Sequence, residues 1–368
     1  MTSEQGGPLN GLRIVEIDAI GPVPLAALIM ADMGADIIRI GRRVAPGRQA
    51  WDNVGGAVLH RSRSHVALDL KEPTDRDALL DLIDCADGLI EGFRPGVMER
   101  LGIGPGVCLA RNPKLVFGRM TGWGQAGPMA LRAGHDINYL SLTGALHAIG
   151  DKAAPTVPLN LVGDYGGGTM FLVAGMLAAF LAAQRTGRGQ VVDVAVTDGV
   201  STLLSLFHAW LPSGEWIDER ASNLLDGGAP FYRCYACADG KHVAVGCLEP
   251  QFFAAMVAGL GLEGRRYDQG DRAGWPAMAA DFAVTFATLP RDEWAARFAT
   301  TDACVTPVLS LSEAIAHPQA ADRNAFVVRQ GVAQAVPAPR FAATPATIKE
   351  GGEVDLTDLL ARWRSTAN

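Results

Sequence analysis

The chain is poor in the residues that build disulfide scaffolds and metal centres. Six of its 368 residues are cysteines, and they are scattered along the sequence. A disulfide framework is therefore not expected. Cys234 and Cys237 form a C-x-x-C pair, but they fall in a segment that predicts a strand, where residues i and i+3 face opposite sides. Because no second pair follows at zinc spacing, we predict reduced thiols and no metal site.

The sequence also predicts neither a leader sequence nor a membrane-spanning run. Residues 1–7 contain neither a basic region nor an apolar signal core. The most apolar window, residues 170–183, is shorter than the roughly 20 residues of a bilayer span, so it predicts a buried helix and no membrane span. Residues 364–368 do not match a Ser-Lys-Leu peroxisomal signal, and we expect a cytoplasmic location.

Positive charge is scarce as well. The chain carries 32 Lys and Arg residues against 39 Asp and Glu residues, which gives a net charge of −7. This balance argues against a nucleic-acid-binding protein and requires local basic groups for any anionic ligand. Hydrophobic residues are abundant at 49% of the chain, and with this length they predict a globular enzyme of two domains.

Strand and helix patterns alternate through the first half of the chain. Helical patterns, such as residues 25–33 before Gly34, separate short apolar runs. The predicted strands are residues 12–17, 36–40, 66–70, 88–93, 115–120 and 190–196. The alternation predicts an α/β fold, with a large Rossmann-like domain built on a mostly parallel sheet.

The second half predicts a smaller α+β domain. Residues 211–230 are rich in Pro, Gly, Asp and Ser and are interpreted as a linker. Asp239 and Gly240 then separate two strand patterns, which is a strong hairpin signal. The predicted boundaries are residues 1–210 with 319–368 for the large domain, 211–230 for the linker and 231–318 for the small domain.

A G-x-G-x-x-G pattern at residues 122–127 follows a predicted strand and could indicate a dinucleotide site. No helical run begins there, since Pro128 follows at once and Gly134 interrupts again. No carboxylate stands where a ribose would need one. We interpret the pattern as a glycine-rich loop of an active site.

His135 and Asp164 are the candidates for acid/base chemistry. His135 follows Gly134 at the start of a predicted helix, residues 136–146, and histidine is the side chain that titrates nearest neutral pH. Residue chemistry alone leaves a packed or surface histidine equally open. Asp164 could be an ordinary N-cap, but glycines at 166–168 favour a bare helix start at Gly168 that a substrate can approach.

Three sequence segments resemble the α-methylacyl-CoA racemase branch of the family III CoA-transferases. They are Gly-His-Asp-Ile-Asn-Tyr at 134–139, Gly-Asp at 163–164 with the glycines that follow, and Leu-Glu-Pro-Gln-Phe-Phe at 248–253. The resemblance runs from Gly11 to about Phe326 and implies the family III fold in an interlocked homodimer. It also departs from the family at residues 60–65 and at Gly41, where a glutamate is common.

The resemblance implies roles for individual residues. His135 and Asp164 would be the two bases, and Asn160 would orient Asp164. Glu249 would reach from the small domain of the other subunit to hydrogen-bond His135, although by itself a glutamate before Pro250 could equally face solvent. The implied CoA contacts are Ile20, Arg42, Leu68, Asp69, Leu70, Lys71, Gly92, Phe93, Arg94, Arg100, Gly134, Ile137, Asn138 and Tyr139.

The implied reaction interconverts (2R)- and (2S)-2-methylacyl-CoA thioesters through an enolate, a step of fatty acid metabolism. Main-chain N–H groups near Asp136 would hold the enolate oxygen, and no redox cofactor or metal is needed. Burial must raise the pKa of Asp164 from about 3.9 if it is to donate a proton at neutral pH. The alternatives are a CoA-transferase with Asp164 as nucleophile, which needs no opposing histidine, and a non-catalytic acyl-CoA-binding protein.

Overall fold

The fold is organised around a six-stranded parallel sheet. A computed structural model describes residues 6–42 and 55–365. The strands are β1 (Arg13–Ile17), β2 (Asp36–Gly41), β3 (Ser64–Ala67), β4 (Gly88–Glu91), β5 (Val116–Thr121) and β6 (Val191–Ala195). Their order, β3-β2-β1-β4-β5-β6, is the Rossmann order. The predicted parallel sheet is therefore confirmed, and its carboxyl ends at β1 and β4 form the crevice where such sheets bind ligands.

Helices connect the strands and follow them. Proline in the first turn begins α1, α3 and α5, as its fixed φ favours. The first ten helices are α1 (Pro22–Asp32), α2 (Gly56–Leu59), α3 (Pro73–Ile83), α4 (Val97–Arg100), α5 (Pro105–Arg111), α6 (Asp136–Thr143), α7 (Ala145–Ala148), α8 (Met170–Thr186), α9 (Val196–Leu203) and α10 (Ser205–Trp210). A π-helical segment, Leu161–Thr169, leads directly into α8.

The later part of the chain adds a second sheet and several short helices. The strands are β7 (Tyr232–Ala236), β8 (His242–Gly246) and β9 (Val305–Pro307), followed by the hairpin β10 (Phe326–Arg329) and β11 (Val332–Ala335). The helices are α11 (Pro250–Gly259), a 3-10 turn (Arg272–Gly274), α12 (Trp275–Phe286), α13 (Arg291–Phe298), α14 (Leu311–Ala316), α15 (Pro318–Asp322) and α16 (Leu356–Ser365). Antiparallel pairing of β7 with β8 confirms the hairpin predicted at Asp239 and Gly240.

The chain divides into two compact units, whose boundaries differ from the predicted domains. The first unit comprises Met1–Thr143, Leu159–Leu203 and Arg323–Asn368, and the second comprises Gly144–Pro158 and Leu204–Asp322. Residues 211–230, interpreted above as a linker, belong to the second unit. Asn223 is fully buried there and donates to the carbonyl oxygens of Ile217 and Glu219. Side-chain amides that hold backbone in this way make a compact loop.

Each unit has its own hydrophobic core. In the first, Phe117 of β5 and Leu89 of β4 pack with Trp363 of α16, whose indole N–H donates to Asp36 Oδ2 at 2.7 Å. In the second, Phe282 and Trp294 are fully buried or nearly so among aromatic rings. All six cysteines are free. The absence of a disulfide framework stays a prediction.

The helix predicted from the most apolar window is longer than the sequence indicated. The π-helical segment and α8 together run from Leu161 to Thr186, 26 residues, which by length and composition could also cross a membrane. Several side chains of α8 are nevertheless buried in the unit, as in the core helix of a globular domain. They are Leu172, Val173, Met176, Ala179 and Phe180. The absence of a membrane span stays a prediction.

Candidate active site

The loop after β1 touches the candidate aspartate. Gly21 has φ 77°, a left-handed conformation that favours glycine, and it stands directly before α1. A Cβ atom added to Gly21 would lie 3.3 Å from Asp164 Oδ2. Gly21 was not predicted from the sequence. A glycine between a predicted strand and the Pro22 that begins a helix could have indicated a tight turn at this position.

Asp164 lies within the π-helical segment, so the predicted helix start at Gly168 is wrong. The glycines serve close packing instead: Gly167 is buried, and a Cβ atom there would lie 2.6 Å from Val200 Cγ2 of α9. The main-chain N–H groups of residues 166–168 are therefore inside a helix and do not form a bare helix start. Single π-helical turns within α-helices are frequent at functional sites.

Burial raises the pKa of the Asp164 carboxyl to about 6, and the negative charge of Asp136 adds to this rise. The charge of His135 and a hydrogen bond from the Asn160 side chain act in the opposite direction. This result confirms the expectation that burial raises the pKa of Asp164. It also places Asn160 in the contact with Asp164 that the family resemblance implies.

His135 is exposed and directly precedes α6. Its backbone N–H donates to Asn138 Oδ1 at 3.1 Å, and its carbonyl oxygen accepts from the Asn138 N–H at 2.8 Å. These two bonds fix the backbone at the start of α6. The helix is shorter than the predicted 136–146, because Gly144 adopts φ 87° and ends it. His135 therefore stands at the first turn of a short helix with its ring accessible.

Asp136 connects the two candidate bases. It follows His135 in the chain, its Oδ1 accepts from the backbone N–H of Asp164 at 2.6 Å, and its carboxylate also accepts from the backbone N–H of Gly163. Its Oδ2 is buried and has no hydrogen-bond partner among the described residues. One side chain thus joins the start of α6 to the π-helical segment.

Tyr139 organises the glycine-rich loop at residues 122–127. Its hydroxyl donates to the Gly134 carbonyl oxygen, and its ring packs edge-on against Trp123 with centroids 4.7 Å apart. A Cβ atom on Gly122 would overlap the Tyr139 ring. Burial raises the pKa of Tyr139 to about 12, the charge of Asp164 adds to this rise, and the charge of Arg94 opposes it. The loop therefore borders the acid/base groups and opens no dinucleotide-binding helix.

The implied CoA contacts follow four neighbouring strands at their carboxyl ends. Ile20 follows β1 and Arg42 follows β2, and both side chains are exposed. Leu68–Lys71 follow β3, which ends at Ala67, so the strand predicted to residue 70 is a turn in its last part. Gly92, Phe93 and Arg94 follow β4, and Arg100 lies at the end of α4. The remaining implied contacts are elsewhere: Gly134 lies before α6, and Ile137, Asn138 and Tyr139 lie on it.

The arginines of residues 60–65 are committed to carboxylates. Arg63 Nη1 lies 2.6 Å from Glu16 Oε2, and both side chains are almost completely buried. Arg61 Nη2 lies 2.6 Å from Asp32 Oδ2. Both arginines lie in the segment that departs from the family sequence, and both form internal ion pairs.

Glu249 belongs to the second unit, where it directly precedes α11. Its predicted contact with His135 stays a prediction. Within residues 6–42 and 55–365, no group of three or more His, Cys, Asp or Glu side chains is placed to hold a metal ion. The groups that the structure brings together are thus His135, Asp136, Asn160, Asp164 and Tyr139.

Comparison with known proteins decides the family. The family model for CoA-transferase family III matches residues 9–352. The chain belongs to the family III CoA-transferases. Alpha-methylacyl-CoA racemase of Mus musculus is 41% identical over 341 residues, which cover 92% of this chain and 87% of the mouse protein. The Homo sapiens racemase is 40% identical over 342 residues, with coverage of 92% and 87%.

The same fold occurs in a solved structure of the family. A CaiB/BaiF family protein from Brucella suis superposes with a TM-score of 0.80 at 22% sequence identity, and the match covers 99% of this chain and 100% of that one. The predicted family III CoA-transferase fold is therefore confirmed. The segments at 134–139, 163–164 and 248–253 resemble the racemase branch of the family. The sequence identity to the mouse and human racemases agrees with this resemblance.

Proposed function

We propose that this family III CoA-transferase is a 2-methylacyl-CoA racemase. It interconverts (2R) and (2S) thioesters by removing the α-proton from one face of the carbon and delivering a proton to the opposite face. The observation that carries the proposal is the neighbourhood of His135 and Asp164, in which burial brings the pKa of Asp164 to about 6. Identity of 40% and 41% to two proteins named as racemases supports the same reaction.

The proposed reaction has two proton transfers and no net change in protons. One base removes the α-proton to give an enolate, and the conjugate acid of the other base returns a proton to the opposite face. Asp164 can do both near neutral pH because its pKa of about 6 leaves both protonation states accessible. His135 serves the other face. The first-turn N–H groups of α6 stabilise the enolate oxygen, and the route requires neither a metal nor a redox cofactor.

The CoA part of the substrate follows the carboxyl ends of β1 to β4 in this proposal. Arg42, Lys71, Arg94 and Arg100 supply positive charge for its phosphates. The active molecule is an interlocked homodimer in which Glu249 of a second copy of the chain hydrogen-bonds His135. The site acts on 2-methyl-branched acyl-CoA in the cytoplasm.

Hydrogen exchange tests the proposal directly. A single epimer of a 2-methylacyl-CoA is incubated with the protein in D₂O, without any other carboxylic acid, and NMR follows the α-proton. We expect deuterium at the α-carbon together with the second epimer, and epimerisation slower by about 10²- to 10⁴-fold in His135→Ala and Asp164→Asn. Transfer of CoA to an added carboxylate without exchange would instead make Asp164 a nucleophile. Tight binding without either reaction would indicate a binding protein.

A further inference from the structure

We propose that Asp136 is a positioning residue for the reaction: its carboxylate fixes the π-helical turn that carries Asp164 and places a second acidic group beside it. The inference rests on the proposed function, because it assigns a task to a third acidic group beside the two bases. Asp136 itself is not required to touch the substrate.

The geometry for fixing the turn comes from the Asp136 carboxylate. Its Oδ1 accepts the backbone N–H of Asp164 at 2.6 Å, and the backbone N–H of Gly163 also hydrogen-bonds this carboxylate. A Cβ atom on Gly163 would overlap Oδ1, so this contact requires a glycine there. Because Asp136 is the first residue of α6 and follows His135, the two bonds set the position of Asp164 relative to the backbone of His135.

The second oxygen indicates that the charge of Asp136 matters. Oδ2 is buried without a hydrogen-bond partner among the described residues. Accepting two N–H groups needs only one oxygen, which an asparagine would supply without a buried charge. Burying a carboxylate oxygen without a hydrogen-bond partner costs free energy. Its presence here therefore indicates that the charge itself has a role. Two neighbouring carboxyl groups disfavour ionisation of each other, and burial also raises the pKa of Asp136.

The other charged groups around Asp164 do not duplicate this effect. His135 lowers the pKa of Asp164, and the side chain of Asn160 does so by hydrogen bonding. Arg94, after β4, acts on Tyr139 of α6. On α9, which packs against the π-helical segment, Asp198 acts on Asp193. Among these groups, Asp136 is the one whose charge raises the pKa of Asp164.

Asp136→Asn separates the charge from the geometry, because the amide oxygen can still accept both N–H groups. The first readout is the titration of Asp164 by ¹³C NMR of carboxyl-labelled aspartate, with its resonance identified by its loss in Asp164→Asn. We expect the wild-type midpoint near 6 and a midpoint about one unit lower in Asp136→Asn. This readout does not depend on catalysis, so it distinguishes failure of this inference from failure of the racemase proposal.

The second readout is the pH profile of epimerisation. We expect the acid limb of kcat/KM to move to lower pH in Asp136→Asn, and kcat at neutral pH to fall about 10-fold with little change in KM. Gly163→Ala, which crowds Oδ1 but keeps the charge, should lower kcat without moving the acid limb. The control Asp198→Asn removes an equal charge at an exposed residue of α9 and should leave both unchanged. An Asp164 midpoint and acid limb in Asp136→Asn that match wild type would overturn the inference.

Discussion

Two buried or partly buried carboxyl groups of the first unit, Glu16 and Asp164, have different charged neighbours. At the end of β1, Glu16 is fully buried and both of its oxygens lie within 2.7 Å of Arg63 Nη1. In the π-helical segment, the charges that act on Asp164 are those of another carboxylate, Asp136, and of His135. One carboxylate is neutralised by a permanent cation, whereas the other has neighbours whose charges themselves depend on pH.

The difference separates structural acids from candidate catalytic acids. Burial raises the pKa of Glu16, and the charge and hydrogen bonds of Arg63 oppose this rise. Removing Arg63 leaves a buried acidic group without its cation. A carboxyl group whose pKa is raised toward neutral pH by burial and by a like charge can accept and release protons during a reaction. Substitutions at the ion pair should therefore affect stability, whereas substitutions at Asp164 should affect turnover.

The largest expected effect is on turnover. Asp164→Asn keeps the size of the side chain and removes its ability to exchange protons, so the rate of epimerisation should fall by up to about 10⁴-fold. The measurement is epimer conversion by NMR under saturating acyl-CoA. Retention of more than about a tenth of the wild-type rate would mean that Asp164 is not one of the two bases.

The corresponding change at the ion pair should affect folding. Arg63→Ala leaves Glu16 buried without its cation, and we expect the free energy of unfolding to fall by about 3–5 kcal/mol in a urea titration. The matched control is Arg111→Ala, which removes a half-exposed partner of Asp84 and should cost less than about 1 kcal/mol. Equal losses in the two variants would contradict the structural role of the Glu16–Arg63 pair.

Removing the catalytic carboxyl should stabilise the protein in one pH range. The pKa of Asp164 in the folded chain, about 6, lies above the ordinary aspartate value of about 3.9. The stability that the protonated group contributes below about pH 4 is therefore lost as the pH rises through 6. Asp164→Asn should be more stable than wild type by up to about 3 kcal/mol above this pH and equally stable at pH 4.

Thermal or urea unfolding at several pH values provides the measurement. A constant difference across the pH range would show that titration of Asp164 is not the cause.

The smallest expected effect concerns a neutral group beside the carboxyl pair. Tyr139→Phe keeps the ring against Trp123 but removes the hydrogen bond to the Gly134 carbonyl oxygen. We expect kcat to fall about 5-fold, in line with the loss of one hydrogen bond. Tyr267→Phe, which removes a hydroxyl bonded to Asp281 in the second unit, is the control and should leave kcat unchanged. An unaltered kcat in Tyr139→Phe would remove Tyr139 from the account.

The sequence predicted those parts of the fold whose signal is local. Apolar runs placed β1, β4 and β5 within one or two residues, and Asp239 with Gly240 placed the β7–β8 hairpin. The three-residue strand β9 has too little pattern to be seen. Residues 211–230 were predicted as a linker, and their ordered structure was not predicted. The buried Asn223 holds this segment through its amide group, and such contacts cannot be read from composition.

The sequence singled out individual residues of the candidate site, but it did not predict how their charges affect one another. Glycines beside His135 and Asp164, together with the family resemblance, singled out both residues. The π-helical turn depends on how closely Gly167 approaches α9, and the contact between Asp136 and Asp164 joins residues 28 positions apart. Neither feature has a sequence period, so the long-range charge effect on Asp164 became visible only in the folded chain.

The central claim is that His135 and Asp164 serve opposite faces of the same carbon. It is tested most directly by α-proton exchange in D₂O, with each epimer offered separately to His135→Ala and to Asp164→Asn. The account predicts that each variant exchanges the α-proton of one epimer without inverting it, and that the two variants act on different epimers. Exchange of the same epimer by both variants, or epimerisation at the wild-type rate in either, would contradict the account.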